Sequence, residues 1–308
     1  MFLKNTSAHV HSSFSIPIHI YIDGLQDIEY VYQERNFDMD RIRTFAKRAQ
    51  GELPLPIPQA TLHQPSEEHL DGLTARPFWD TTSLDMSNDF PWAKKLEEHS
   101  SIILQELQEK LKREEDNKSN HIFTGDSAWQ NKVMGGGWSA FRLQRLGEWN
   151  VENCKEFPKT FELLQSLNIP FAVRGVCFAR QAAGSGVQPH SDGRNFILTS
   201  HLGLIVPEGC WIKVGDETST WENGKLITID TSFEHSTGNP TDSDRYVLII
   251  DFWHPETTEA ERAALDFIYN LRNKYESGKI PFRKPRRILE EEEGQGLKGM
   301  LNSFFSKK

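Results

Sequence analysis

The stretch Pro189-His190-Ser191-Asp192-Gly193-Arg194-Asn195 sets an imidazole and a carboxylate two positions apart. In extended backbone, side chains at i and i+2 leave the same face, so His190 and Asp192 can converge on one point. A second histidine, His235, follows in Asp230-Thr231-Ser232-Phe233-Glu234-His235, and Arg245 then opens the apolar run Tyr246-Val247-Leu248-Ile249-Ile250. Two imidazoles and one carboxylate are the donor set with which non-haem Fe(II) oxygenases hold a metal on one face, leaving three positions open. Zinc accepts the same donors. A His-x-Asp pair arises by chance in many proteins. The order gives it weight here: ligand pair, β-type sequence, third ligand, then a guanidinium fit to grip a carboxylate in two-pronged fashion.

Residues placed this way need strands, and residues 171–253 supply them. Candidate strands are Ala172–Ala179, Phe196–Val206, Trp211–Val214, Leu226–Asp230 and Arg245–Trp253, punctuated by Pro207-Glu208-Gly209 and Glu222-Asn223-Gly224. Short strands without intervening helices favour a mainly β, double-sheet jelly roll over a βαβ fold.

Upstream, a helix is expected from about Pro91, with Trp92, Leu96, Ile103, Leu107 and Leu111 on one stripe packed against a sheet. A helix is expected near Arg41–Gly51, an extended linker at Leu53–Pro58, an edge strand near Phe14–Ile22, and a loop at Gly135-Gly136-Gly137. Phe141–Leu146 reads as a strand, and Leu163, Leu164 and Leu167 mark a short helix closed by Pro170. Thr258 and Glu261 form a capping box for a helix carrying Leu265, Ile268 and Tyr275 and ending at Gly278, followed by a charged, solvated tail. The division expected is an N-terminal segment (1–65), a catalytic-type domain (66–256) and a C-terminal helix and tail (257–308).

Composition narrows the partners. The 308 residues are 37% hydrophobic and 26% charged, with a net charge of -9, and a nucleic-acid binder would show a basic face instead. No run approaches the roughly 18 apolar residues of a membrane span. No basic segment with an apolar core opens the chain, so a cytoplasmic location is expected. Cys154, Cys177 and Cys210 are widely spaced without a Cys-x-x-Cys, which fits buried free thiols.

The block from Arg174 to Glu256 resembles the aspartyl/asparaginyl β-hydroxylase family of Fe(II)/2-oxoglutarate oxygenases. The resemblance is carried by the Gly184 turn, Pro189-His190, His201-Leu202-Gly203-Leu204, Gly209-Cys210, Trp221 with Gly224, Phe233-Glu234-His235, Arg245 and Asp251-Phe252-Trp253-His254-Pro255. Gly72–Trp79 and the Trp92 helix look like the family's lead-in. The resemblance implies a double-stranded β-helix (jelly roll, cupin-like) with flanking helices. It implies His190 and His235 as iron ligands, Arg245 on the distal carboxylate of 2-oxoglutarate, and His201 beside that co-substrate. Asp192 stands where the animal protein-modifying members have glycine, so a full triad of His190, Asp192 and His235 is expected.

Two residues depart from the pattern. Thr199 stands where many members have arginine, and Ala179 where the animal enzymes have serine. Either the co-substrate is anchored with fewer groups, or nearby Arg194 or Arg180 substitutes.

The activity implied is O2-dependent hydroxylation of an unactivated C–H coupled to oxidative decarboxylation of 2-oxoglutarate. The substrate is either an Asp/Asn-type residue of a peptide, which the Trp253-His254-Pro255-Glu256 ending suggests, or a free or carrier-bound amino acid. Arg142, Arg145 and Trp138 are candidates for the substrate mouth, and an ordinary surface strand explains them equally. The competing classes are a non-catalytic jelly-roll sensor of metal or 2-oxo acid, and a zinc hydrolase, for which no general base stands out.

Overall fold

The computed structural model describes residues 38–117, 123 and 137–277. The readings made for Phe14–Ile22, for Gly135 and Gly136 and for the C-terminal tail lie outside these residues.

Eleven strands of the described residues form two antiparallel sheets. The larger has the order β1-β9-β6-β11-β4-β2-β3 and the smaller β5-β10-β7-β8. Here β1 is Phe78–Trp79, β2 Trp138–Arg145, β3 Glu148–Trp149, β4 Phe171–Gln181 and β5 Ser185–His190. They are followed by β6 Ile197–Ile205, β7 Trp211–Val214, β8 Glu217–Thr220, β9 Leu226–Asp230, β10 His235–Asn239 and β11 Arg245–Trp253. From β4 onward the chain passes back and forth between the sheets, which is the double-stranded β-helix form of the jelly roll.

The strands legible in the sequence are those rich in apolar and β-branched residues. β6 is almost wholly buried because helices cover one face and the smaller sheet the other. Its sequence, Ile197-Leu198-Thr199-Ser200-His201-Leu202-Gly203-Leu204-Ile205, is accordingly no strict alternation: apolar residues flank a buried polar centre. β5, β8 and β10 escaped the reading. β8 is polar and largely exposed, and β10, His-Ser-Thr-Gly-Asn, is buried by its place in the barrel rather than by apolar character.

Outside the larger sheet lie α2 (Ala93–Glu98), α3 (Ser100–Asn117), α4 (Val151–Lys155) and α5 (Pro158–Ser166). Trp92, Leu96, Ile103 and Leu107 pack with Phe178, Leu198, Leu248 and Phe252, so the expected stripe is core. The expected single helix breaks at His99 (φ -106°, ψ 9°). There the imidazole Nδ1–H and the backbone N–H both donate to the Lys95 carbonyl, at 2.7 and 3.2 Å. α5 lacks a side-chain cap of its own. Glu106 of α3 replaces it, accepting the N–H groups of Lys159 (2.9 Å) and Thr160 (2.8 Å) and the Thr160 hydroxyl (2.8 Å).

At the barrel's end, α1 (Asp40–Ala49) and α6 (Glu259–Glu276) share a second core with Leu70, Phe196 and Trp253. Arg41 joins the two helices through a two-pronged pair with Glu261, both contacts at 2.6 Å. The capping box is formed: the Thr258 N–H donates to Glu261 at 2.8 Å and the Glu261 N–H to the Thr258 hydroxyl at 3.2 Å.

Residues 59–76 form a strap behind the loops that carry His190, Asp192 and His235. The Glu234 N–H donates to Leu62, the Gln64 N–H to Ser232 and the Ser66 N–H to Gly193. Asn195 accepts the Leu70 N–H at 2.9 Å and donates to the Leu70 carbonyl at 2.8 Å. Gly193 is required by this arrangement. It has φ +70°, and a Cβ there would run into Ser66. The Trp253-His254-Pro255-Glu256 ending braces the same strap. Glu256 accepts the Thr74 N–H at 2.8 Å and hydroxyl at 2.7 Å, while His254 Nε2 donates to the Thr74 carbonyl at 3.1 Å.

Candidate metal centre

His190 ends β5 and His235 begins β10, and the two are direct partners across the antiparallel pair. Their ring centroids lie 4.3 Å apart. Each Nδ1–H donates to a carbonyl two residues upstream: His190 to Gln188 at 2.8 Å, His235 to Phe233 at 2.9 Å. That fixes the tautomer and leaves both Nε2 lone pairs free, the usual arrangement behind metal-bound histidine. Asp192 completes the group. One ligand atom from each of the three residues lies within 4.8 Å of the others, forming a possible metal site.

Electrostatics favours the ligating protonation states. Burial, His190 and the opposing pull of Asp192 together bring His235 down to about 4, so its imidazole is neutral near pH 7. Burial alone would raise Asp192. The Arg174 guanidinium, with His235 and His190, outweighs it and holds the carboxyl well below the usual range.

Deeper in the barrel, Arg245 opens β11 and is 2% exposed. Its guanidinium lies over the Trp221 ring, 4.3 Å from the centroid, and its Nε and Nη1 have no hydrogen-bond partner among the described residues. Burial pulls its pKa down to about 10. His201 of β6 stacks flat on the other participant, the Trp221 indole, at 5.9 Å and 9°. Its Nδ1 also lacks a partner, and burial, Arg245 and His235 bring it down to about 3. His201 thus feels both Arg245 and His235 of the His-Asp-His group. Buried donors without partners are rare and costly, and a planar guanidinium with free Nε–H and Nη–H is the partner a carboxylate fits in fork fashion. The donor set at the mouth and the orphaned cation within both fit a metal with a chelating oxo acid. Trp221, given no individual role by the sequence, orders both His201 and Arg245.

The expected auxiliary arginines are turned elsewhere. Arg194 donates to Glu68 at 2.6 Å and lies 5.5 Å from the Tyr269 ring, towards α6. Arg180 is paired with Asp244 at 2.6 Å. Arg174, which the sequence did not single out as a site residue, is instead the guanidinium at Thr199: its Nη2 lies 2.9 Å from the Thr199 hydroxyl, and its Nη1 donates to Asp192. Its position at a β-bulge carried no periodic signal. Ala179 is fully buried within the barrel core. Arg142 of β2 is half-buried and donates to the Arg174 carbonyl at 2.7 Å, whereas Arg145 is exposed.

Fold and site together define a jelly-roll protein with a facial His-Asp-His group and a buried cation behind it. Residues 97–255 match the family description Aspartyl/Asparaginyl beta-hydroxylase, and the chain belongs to that family. Over 212 residues it is 33% identical to the mouse aspartyl/asparaginyl beta-hydroxylase, covering 68% of this chain and 27% of the relative. Over 145 residues it is 37% identical to the human aspartate beta-hydroxylase domain-containing protein 2, covering 45% of this chain and 39% of the relative. The chain thus spans only about a quarter to two fifths of the length of these relatives. Among solved structures, a predicted oxalate decarboxylase from Thermotoga maritima overlaps 39% of this chain and 86% of its own, at 15% identity and a TM-score of 0.27. None of the described helices is long and apolar enough to cross a membrane.

Proposed function

We propose that this chain is an Fe(II)- and 2-oxoglutarate-dependent dioxygenase that hydroxylates an unactivated C–H. The acceptor is the β-carbon of an Asp/Asn-type residue in a peptide, or of a free or carrier-bound amino acid. The observation that carries this reading is the pairing of a His-Asp-His group at the barrel mouth with a buried guanidinium whose Nε and Nη1 have no hydrogen-bond partner among the described residues. Membership of a hydroxylase family supports it.

His190, Asp192 and His235 would hold the iron, and Arg245 would take the distal carboxylate of 2-oxoglutarate. Iron with 2-oxoglutarate supplies the oxidising power, drawn from dioxygen as the co-substrate is decarboxylated to succinate and carbon dioxide. The chain's own groups do the positioning. The Gln188 and Phe233 carbonyls orient the two imidazoles, and the Trp221 indole holds Arg245 and His201 against one flat surface. His201 is neutral at its lowered pKa, so it meets the oxo acid as a hydrogen-bonding group and adds no further charge.

The test is an anaerobic titration of the apoprotein with Fe(II) and then 2-oxoglutarate, following the weak visible charge-transfer band of the chelate. The wild type is run beside His235→Ala and Arg245→Ala. The band should disappear in the histidine variant and demand far more 2-oxoglutarate in the arginine variant. Metal binding without a band in the wild type would refute the 2-oxoglutarate assignment. Turnover with Asp-containing peptides and with free amino acids then separates the two acceptor classes.

A further inference from the structure

Arg174 is neither one of the three ligands nor the deep cation, yet it touches more charged groups at the site than either. It leaves β4 where the register with β11 slips, between the pairs Phe171–Phe252 and Val176–Ile250. Bulges of this kind re-aim a side chain. Its Nη1 donates to Oδ2 of Asp192. Its Nη2 lies 3.0 Å from Oδ1 of Asp251, 2.9 Å from the Thr199 hydroxyl and 3.3 Å from the Thr231 hydroxyl. The Thr199 hydroxyl donates to the same Asp251 oxygen at 2.6 Å. One guanidinium therefore bridges two carboxylates from different elements, and only Asp192 belongs to the metal group.

The charge count gives Asp251 its purpose. A guanidinium bonded to Asp192 alone would cancel the one negative charge that the facial group offers a divalent cation. With Asp251 included, two carboxylates share one cation, and a single negative charge remains. The bond to Oδ2 also occupies one carboxylate oxygen, so Asp192 has one oxygen left to give a metal. A one-oxygen carboxylate with two imidazoles leaves three of six positions open, as an oxo-acid chelate plus dioxygen requires.

We propose that Arg174 and Asp251 form a charge-balanced clamp that makes Asp192 a one-oxygen metal ligand while preserving its negative charge for the metal. Both are positioning residues, and the inference rests on the metal-site reading above. The cation comes from β4, and Thr199 of β6 contributes a hydroxyl that orients Asp251.

The test uses Co(II) as a coloured substitute for Fe(II), titrated into the full-length apoprotein. Its visible d–d intensity falls as coordination number rises. Asp251→Asn leaves Arg174 uncompensated and should weaken Co(II) binding about ten- to a hundredfold, as a unit charge at this range and an intermediate dielectric dictates. The double variant Arg174→Met/Asp251→Asn restores the net charge and should recover affinity to within about threefold of wild type, a coupling expected only of interacting residues. Arg174→Met alone should bind Co(II) at least as tightly as wild type but with a weaker d–d band, because the freed oxygen joins the metal.

Asp251→Asn binding within about twofold of wild type would overturn the clamp. So would a double variant as weak as Asp251→Asn, which is how a merely damaged fold would behave. Failure of the wild type to bind Co(II) would instead overturn the metal site itself, and it would appear before any variant is compared.

Discussion

Replacing Arg245 by methionine tests the inner pocket from two sides, because the arginine is costly to the empty fold and valuable to the filled one. Burial brings its pKa down to about 10, and a fall of that size from the ordinary arginine value corresponds to about 3 kcal/mol of unfavourable charge burial. Methionine removes that cost and keeps much of the aliphatic stem. It forfeits the stacking on Trp221 at 4.3 Å, worth about 1 kcal/mol, and opens a small void costing about another 1 kcal/mol. The ligand-free variant should therefore be more stable by roughly 1 kcal/mol, a rise in Tm of about 2–4 °C for a domain of this size.

The sign carries a pH signature. The cost is fully present below pH 10 and fades as pH rises through that value, so wild type and variant converge in alkali.

On the filled side, the two free guanidinium donors would each make a charge-assisted bond worth about 1.5–3 kcal/mol. Losing both weakens 2-oxoglutarate binding by about a hundred- to ten-thousandfold. Thermal melts with and without 2-oxoglutarate, and quenching of tryptophan fluorescence, read both quantities. A variant that is less stable than wild type and still binds 2-oxoglutarate within about threefold would refute this account of Arg245.

Other consequences follow from named contacts. His190→Ala and His235→Ala should each abolish the rise in Tm that Fe(II) gives the wild type, while melting near the wild-type apoprotein in chelator. His69, His201 and His235 are held neutral mainly by burial, at about 4, 3 and 4, whereas the unfolded chain protonates them near 6.5. Apoprotein stability should therefore be complete above pH 6.5 and decline as pH falls from there towards 4, with Tm against pH in chelator as the check. Glu106→Ala strips the buried start of α5 of its acceptor and should cost about 2–4 kcal/mol in urea unfolding. Thr258→Ala breaks the capping box and should cost about 1 kcal/mol by the same measurement.

The readable parts of the sequence were those where one physical requirement dominates. β6, β7, β9 and β11 are rich in apolar and β-branched residues that pack inward, and the read boundaries of Trp211–Val214, Leu226–Asp230 and Arg245–Trp253 match the observed strands. Thr258 and Glu261 announced a helix start by local hydrogen bonding alone. His190 and Asp192 were legible because extended backbone places i and i+2 on one side, and the structure does bring them together with His235. The break at His99 was hidden, since the stripe from Trp92 to Leu107 continues across it. β5 and β10 were hidden too. Their small and polar residues are placed by pairing with each other, and pairing across the barrel leaves no local pattern.

The sequence by itself determined the apolar-rich strands β6, β7, β9 and β11, the donor types at His190, Asp192 and His235, and the cation at the head of β11. These depend on burial and on spacing along the chain. Only the tertiary structure decided which arginine serves which carboxylate. Arg194 and Arg180 are drawn to Glu68 and Asp244, and Arg174 is turned by a bulge onto Asp192 and Asp251. It also decided that residues 59–76 and Trp253–Glu256 act together as a brace beneath the loops that carry His190, Asp192 and His235. Such partnerships are made between segments far apart in the chain, where a charge takes the nearest opposite charge the fold delivers. Neighbouring residues carry no trace of that choice.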